Sequence, residues 1–142
     1  MKNMLGTAIA LAAKAHENQI DKGGKAYILH PLRMMMRLRT NDDELMAIAI
    51  LHDVLEDTDY DHEDLQNLGF PQRVIDGVRA LTRYENETYD EFIKRCAMNP
   101  DARLVKGEDL RDNADITRLK GLRKKDFERL EKYSRAFIYL SD

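Results

Sequence analysis

The residues with the most chemical potential lie together in one short stretch, His52-Asp53-Val54-Leu55-Glu56-Asp57. On a continuous helix, a spacing of four residues places His52 beside Glu56 and Asp53 beside Asp57, so one imidazole and three carboxylates share adjoining stripes. Carboxylates near the carboxyl end of a helix are destabilised by the helix dipole and by each other. A solvated acidic face is one explanation, but His52 shares its stripe with the apolar Ile48, which predicts that part of the cluster faces the interior. Buried like charges need a compensating cation.

A divalent metal ion would supply that cation. Imidazole nitrogen together with carboxylate oxygen suits Mn, Fe, Zn or Co better than Ca. Because His52 and Asp53 cannot complete a coordination shell alone, further ligands must come from elsewhere, and the candidates are His30, directly before Pro31, and Asp109. Each has an ordinary alternative, since a histidine before a proline is more often structural and an aspartate in a charged helix usually faces solvent.

Helices must position these residues, because apolar residues recur at spacings of three and four through nearly the whole chain. The sequence therefore predicts an all-α fold in a single domain formed by residues 1–142, which is close to the length of one typical domain. We expect a first helix from Lys2 to about Gln19 and a second from Pro31 to about Arg39. A third begins at Asp42 and carries Leu45, His52 and Leu55 on its inner face.

Start signals divide the rest of the chain into further helices, which we expect to begin at Asp61, Pro71, Thr88 and Pro100. Thr88 and Glu91 match a capping box, in which each side chain satisfies a free backbone N–H at the helix start. The helix that begins at Pro100 is expected to run to about Leu119. The last helix has an apolar stripe that we expect to face the core, formed by Phe127, Leu130, Tyr133, Phe137 and Ile138.

The overall composition excludes several classes of function. With 23 basic and 26 acidic residues the chain has a formal net charge of −3, so it has no global positive field to hold nucleic acid or an anionic membrane. The apolar stretch from Ile9 to Ala15 is too short to span a membrane or to serve as a secretory signal. The single cysteine, Cys96, leaves no internal disulfide, so we expect a cytosolic protein.

Taken together, His30, the His52-Asp53 pair and the distant Asp109 resemble the HD-domain phosphohydrolases, all-helical proteins in which such a set holds a divalent cation. Further stretches narrow the resemblance to the hydrolase domain of RelA/SpoT-type enzymes, and especially to the small stand-alone alarmone hydrolases of the Mesh type. These stretches are AHENQ at 15–19, KGGKAYILHP at 22–31, HDVLEDT at 52–58 and VKGEDLRDN at 105–113. Their order and spacing are kept across nearly the whole chain.

The resemblance implies a role for each of these residues. It implies a Mn²⁺ site whose ligands are His30, His52, Asp53 and Asp109, where the ion makes a bound water acidic. Glu56 and Asp57 match the family's catalytic acidic pair; a carboxylate one turn from the ligands can orient or deprotonate that water, which is the role we expect for Glu56. The substrate contacts that the resemblance implies are Lys22, Tyr27 and Asn113.

The implied reaction is removal of the 3′-pyrophosphate from ppGpp or pppGpp, which leaves GDP or GTP. The chain departs from the family at two positions, because Asp21 and Asp115 stand where arginines are usual or frequent. Carboxylates there should repel phosphate, so we expect weakened ppGpp binding that Asp21→Arg improves. Two alternatives follow: hydrolysis of another phosphorylated nucleotide, such as the 2′-phosphate of NADPH, or a non-catalytic module that binds a nucleotide and keeps the metal for stability.

Overall fold

A computed structural model describes all 142 residues and confirms the all-α fold, with no β-strand beyond an isolated antiparallel bridge between Ile20 and Ala26. A 3₁₀ turn, Ile116–Arg118, lies between the last two helices. None of the helices combines the length and the hydropathy that a membrane-spanning segment needs. The nine α-helices are α1 (Met4–Ala15), α2 (Leu29–Arg37), α3 (Asp43–Leu51), α4 (Val54–Asp57), α5 (His62–Asn67), α6 (Gln72–Ala80), α7 (Tyr89–Ala97), α8 (Pro100–Asn113) and α9 (Lys124–Ser141).

Side-chain caps fix several helix starts where the sequence predicts them. The Thr88 hydroxyl accepts a hydrogen bond from the Glu91 backbone N–H, and the Glu91 carboxylate accepts one from the Thr88 backbone N–H, which closes the predicted capping box of α7. Asp61 forms the same arrangement at α5. The chain leaves α5 through Gly69, whose φ of +90° is a conformation that favours glycine.

Three predicted helices are shorter than expected, and the first of them, α1, ends at Ala15 rather than at about Gln19. The helix from Asp42 does not continue to Leu55: α3 ends at Leu51, the chain turns at residues 52–53, and the one-turn helix α4 follows. Glu56 and Asp57 therefore lie in the first turn of a new helix, where the dipole does not oppose them. The helix from Pro100 ends at Asn113 rather than Leu119, because Asp115 accepts the backbone N–H of Thr117 and starts the 3₁₀ turn.

The core is built around α3. Every residue from 47 to 51 is buried, so this helix is apolar on all sides, which is typical of a central helix. Helices α1, α2, α6 and α8 pack around it. Since α3 is enclosed in this way, the turn that follows it at residues 52–53 is held in a fixed position at the centre of the molecule.

The prediction that the stripe on α9 faces the core is wrong for two of its members. Phe127 is 57% exposed and Ile138 is 60% exposed, whereas Tyr133 and Phe137 are half-buried against the core. The reason is that α9 is the outermost helix and packs mainly on α8 and α7, which together cover only part of its apolar stripe.

Candidate metal centre

The turn between α3 and α4 leaves one nitrogen of His52 free to bind a ligand. His52 is buried, and its Nδ1 donates to the carbonyl oxygen of Ala49 at 2.8 Å, so that in the neutral imidazole Nε2 is the nitrogen with a free lone pair. Nε2 is buried and has no hydrogen-bond partner. A carboxylate oxygen of Asp53 lies 2.9 Å from Nε2, but the two atoms are not aligned for a hydrogen bond. Two ligand atoms that lie close together without a hydrogen bond between them are expected where both coordinate the same metal ion.

Two further residues join them from separate helices. His30 lies in the first turn of α2 and Asp109 in α8, and His30 Nε2 contacts Asp109 Oδ1 at 2.9 Å. The same oxygen lies 3.6 Å from His52 Nε2. One ligand atom from each of His30, His52 and Asp109 lies within 4.8 Å of the others, and all three residues are buried. The structure thus groups three of the four predicted ligands, and the fourth, Asp53, lies beside them with its Oδ2 4.0 Å from His30 Nε2.

The donor set fits a divalent cation. Two imidazole nitrogens with carboxylate oxygens are ligands that Mn, Fe, Zn or Co accept. Burial lowers the pKa of His52, but the carboxylates of Asp53 and Asp109 outweigh burial and raise it overall. The cluster therefore attracts positive charge, and a metal ion at this point would also satisfy the unpaired Nε2 of His52.

Asp112 supports this centre, and the sequence analysis did not identify it. Its carboxylate is fully buried and accepts a 2.6 Å hydrogen bond from His30 Nδ1, which aims His30 Nε2 at the centre. The arginines Arg33, Arg37 and Arg118 also bind it, at 2.8, 3.1 and 2.7 Å. Burial raises the pKa of Asp112, but these hydrogen bonds and charges outweigh burial and lower the pKa overall. Its position one helical turn after Asp109 is the signal that could have marked it.

Neighbours on α8 and in the loop before α2 fix the two carboxylates of the centre. Lys106 Nζ lies 2.6 Å from Asp109 Oδ2, and Asn113 Nδ2 donates to Asp109 Oδ1 at 2.9 Å. The hydroxyl of Tyr27 donates to Asp53, and the Tyr27 ring lies between the rings of His16 and His30 at 4.9 and 5.6 Å. Tyr27 and Asn113, expected as substrate contacts, thus also contact the predicted metal ligands.

The predicted catalytic pair lies on α4, outside the buried cluster. Glu56 Oε1 accepts the backbone N–H of Arg83 at 2.6 Å. The surrounding protein partly removes water from the Glu56 carboxyl group and raises its pKa, although the residue as a whole is exposed. The hydrogen bond from the Arg83 N–H lowers the pKa and offsets only part of this shift. Asp57 accepts a hydrogen bond from the Gln19 side chain at 3.1 Å, and Gln19 also contacts His16.

A cleft of about 290 Å³ adjoins the centre. His30, Tyr27 and Asn113 line one part of it, and Lys22 lines another, so the structure brings the three predicted substrate contacts into one space. Glu56 and Asp57 do not line it. Asp21 and Asp115 do, but both carboxylates are engaged locally: Asp21 Oδ1 accepts the backbone N–H groups of Gly23 and Lys25, each at 2.9 Å, and Asp115 caps the 3₁₀ turn.

Comparison with known proteins finds relatives that are named as ppGpp pyrophosphohydrolases, as a bifunctional (p)ppGpp synthase/hydrolase and as a GTP pyrophosphokinase. The chain is 34% identical over 116 residues to a guanosine-3′,5′-bis(diphosphate) 3′-pyrophosphohydrolase of Aquifex aeolicus, and 36% identical over 106 residues to the protein of the same name from Haemophilus influenzae. These segments cover 75% and 67% of this chain. The resemblance to RelA/SpoT-type hydrolases is confirmed. The matched segment spans only 16% of each of these relatives, which are much longer proteins.

A solved structure shares the fold. It is described as a metazoan ortholog of SpoT that hydrolyzes ppGpp, and it matches 96% of this chain and 84% of its own with a TM-score of 0.81. At 24% sequence identity this likeness shows the fold. No family model matches the chain.

Proposed function

We propose that residues 1–142 form a metal-dependent phosphohydrolase domain that removes the 3′-pyrophosphate of ppGpp or pppGpp, leaving GDP or GTP. The observation that carries this proposal is the buried cluster of His30, His52 and Asp109, with the half-buried Asp53 beside it and the unpaired Nε2 of His52 within 3.6 Å of both carboxylates. The names of the relatives from Aquifex aeolicus and Haemophilus influenzae supply the substrate.

The resident ion that we propose is Mn²⁺, held by His30, His52, Asp53 and Asp109. When bound, such an ion lowers the pKa of a coordinated water so that hydroxide is available near neutral pH. The protein fixes the geometry of its own ligands, since Asp112 orients His30, Tyr27 orients Asp53, and Lys106 and Asn113 orient Asp109.

In this proposal Glu56 takes the proton of the attacking water. One of its oxygens is fixed by the Arg83 N–H, so the carboxylate has a defined direction. A raised pKa makes the Glu56 carboxylate a stronger base than that of an ordinary glutamate. Asp57 assists by fixing α4 to the end of α1 through Gln19. Lys22, Tyr27 and Asn113 contact the substrate from the cleft.

We also propose that the protein acts in the cytosol. Cys96 is a buried free thiol, and burial raises its pKa to about 11, so it stays protonated and unreactive. A chain whose one cysteine is structural does not depend on an oxidising compartment.

A product assay tests the proposal. Mn²⁺-loaded protein is incubated with ppGpp, pppGpp, NADPH and ordinary nucleoside di- and triphosphates, and products are separated by ion-exchange chromatography. We expect GDP and pyrophosphate from ppGpp, with no turnover by Asp109→Asn protein prepared in the same way. Faster release of phosphate from NADPH, or no product from ppGpp, would contradict the proposal.

A further inference from the structure

The cleft beside the candidate metal centre opens into a second space lined mostly by cations. This space measures about 480 Å³. Its walls carry five cationic side chains and a single carboxylate, that of Asp126. We call it the cationic recess, and its charged lining residues are Lys22, Lys120, Arg123, Lys125, Asp126 and Arg129.

Four of the five cations have no carboxylate partner. Asp126 is engaged, because it accepts the backbone N–H of Arg123 at 2.8 Å and a hydrogen bond from the Arg129 side chain. Lys22, Lys120, Arg123 and Lys125 form no salt bridge. Burial and the nearby charges of Arg129 and Lys125 lower the pKa of Lys22, which indicates a positive potential at this point.

Two separate segments of the chain form one wall of the recess. Gly23 packs against the backbone of the 3₁₀ turn so closely that a Cβ at this position would lie 2.3 Å from the carbonyl oxygen of Arg118. A Cβ at Gly24 would lie 3.7 Å from Lys120 Nζ. The loop that carries Lys22 is therefore held directly against the segment that carries Lys120, and only glycine permits this approach at residue 23.

The recess is continuous with the cleft at the metal centre. Lys22, Leu119, Asp126 and Arg129 line both spaces, while His30 lines the cleft and not the recess. A ligand with phosphate groups at both ends can therefore place one group near His30 and the other among the unpaired cations.

We propose that Lys120, Arg123 and Lys125, with Lys22, bind the phosphate group of the substrate that is not hydrolysed, which in (p)ppGpp is the 5′-diphosphate or 5′-triphosphate. This inference rests on the proposed function. It accounts for Asp21 and Asp115, because cations from another segment supply the positive charge that arginines at those two positions would give.

Kinetics with a charge-matched control test this assignment. In Arg123→Gln/Lys125→Gln protein we expect KM for ppGpp to rise about tenfold and kcat to stay within about twofold, because ground-state binding is lost and the reacting end is untouched. The effect should be larger for pppGpp and absent for guanosine 3′-diphosphate with a free 5′-hydroxyl. The control is Lys94→Gln/Arg135→Gln, which removes the same charge from exposed positions outside the recess and should match wild type. An equal rise in KM for the 5′-hydroxyl substrate would overturn the assignment.

A binding measurement separates this inference from the proposed function. Inorganic tripolyphosphate is titrated calorimetrically into protein kept in chelator, so that neither metal nor turnover is involved. Weaker binding by the recess variant than by wild type and control supports the site even if ppGpp is not a substrate. Equal binding by all three proteins overturns it even if ppGpp is hydrolysed. Melting temperatures of the variants confirm that each one is folded.

Discussion

At the scale of single residues, the proposed mechanism divides acidic side chains between two tasks. Asp109 is buried and Asp53 half-buried beside two imidazoles, whereas Glu56 lies on α4, outside that cluster, and accepts the backbone N–H of Arg83. A carboxylate that binds the metal lowers stability when it is lost, because the binding free energy of the metal is lost with it. A carboxylate that only accepts a proton affects turnover and leaves the metal in place.

This division predicts the behaviour of Glu56→Gln. The amide keeps the size of the side chain but cannot accept a proton, so we expect kcat for ppGpp to fall by about two orders of magnitude or more. Metal content and melting temperature should equal those of wild type. Metal content by elemental analysis and steady-state kinetics on one preparation check both statements, and unchanged turnover would transfer the role to Asp57.

The raised pKa of Glu56 also predicts a pH profile. Only the ionised carboxylate accepts a proton, so kcat/KM should fall as pH falls through the pKa of Glu56. Because desolvation raises that pKa, the midpoint of the acid limb should lie above the 4.5 of an ordinary glutamate. A pH–rate profile measures it, and the Glu56→Gln protein should lack this limb. A midpoint at or below 4.5 would contradict the assignment of Glu56 as the base.

The proposed metal ligands could be predicted from the sequence, but the role of Asp112, which orients one of them, could not. The residue types and the family resemblance together predicted His30, His52, Asp53 and Asp109 as metal ligands, although these residues come from distant parts of the chain. Asp112 was missed because an aspartate in a charged helix ordinarily faces solvent, and only the fold reveals three arginines around it. The prediction that Asp21→Arg improves ppGpp binding stays untested. The structure gives Asp21 a turn-forming role that this change would remove.

At the scale of helices, local signals predicted where elements begin better than where they end. Capping side chains act within one turn, so Thr88 and Asp61 could be recognised from sequence alone. The break between α3 and α4 has no such signal, since no glycine or proline marks it. Its consequence is functional, because the turn at residues 52–53 lets His52 and Asp53 face the same point.

The link between α8 and α2 through Asp112 leads to a prediction about stability and metal affinity. Asp112→Asn removes a buried charge that four donors share, so we expect a loss of about 3 kcal/mol in the free energy of unfolding, moderated because the arginines are partly exposed. Since His30 also loses its orienting partner, metal affinity should fall about 10- to 100-fold. Urea unfolding and metal titration measure the two effects. Asp59→Asn, at an exposed position, is the control, and a variant as stable as that control would refute the structural role of Asp112.

Two helical glycines give a matched pair of predictions. A Cβ at Gly77 in α6 would lie 2.6 Å from the buried Ile48 of α3, so Gly77→Ala should destabilise the protein by about 1–3 kcal/mol through overpacking. A Cβ at Gly107 in α8 would meet nothing closer than 4.0 Å, so Gly107→Ala should stabilise it by about 0.5–1 kcal/mol through helix propensity. Urea unfolding of both variants tests the packing of α6 on α3, and equal stabilities would contradict it.

At the scale of the whole molecule, composition predicted the class of protein but not the distribution of charge. A formal net charge of −3 argues against a global positive field, yet the structure gathers unpaired cations at one end of a single cleft. Segments around Lys22 and Arg123 are a hundred residues apart in sequence, and only their packing creates this local field. The same holds for α9, whose exposed stripe depends on how many helices cover it.

The account depends on one claim above all, that His30, His52, Asp53 and Asp109 hold a divalent metal ion. The direct test measures bound Mn²⁺ per chain by elemental analysis after chelation, reloading and gel filtration, in wild type, His52→Gln and the exposed control Lys94→Gln. We predict about one ion per chain in wild type and control and almost none in His52→Gln. Loading should raise the melting temperature only where the ion binds, since an ion at a hundred times its dissociation constant adds about 2.7 kcal/mol. Equal metal content in wild type and His52→Gln would contradict the claim.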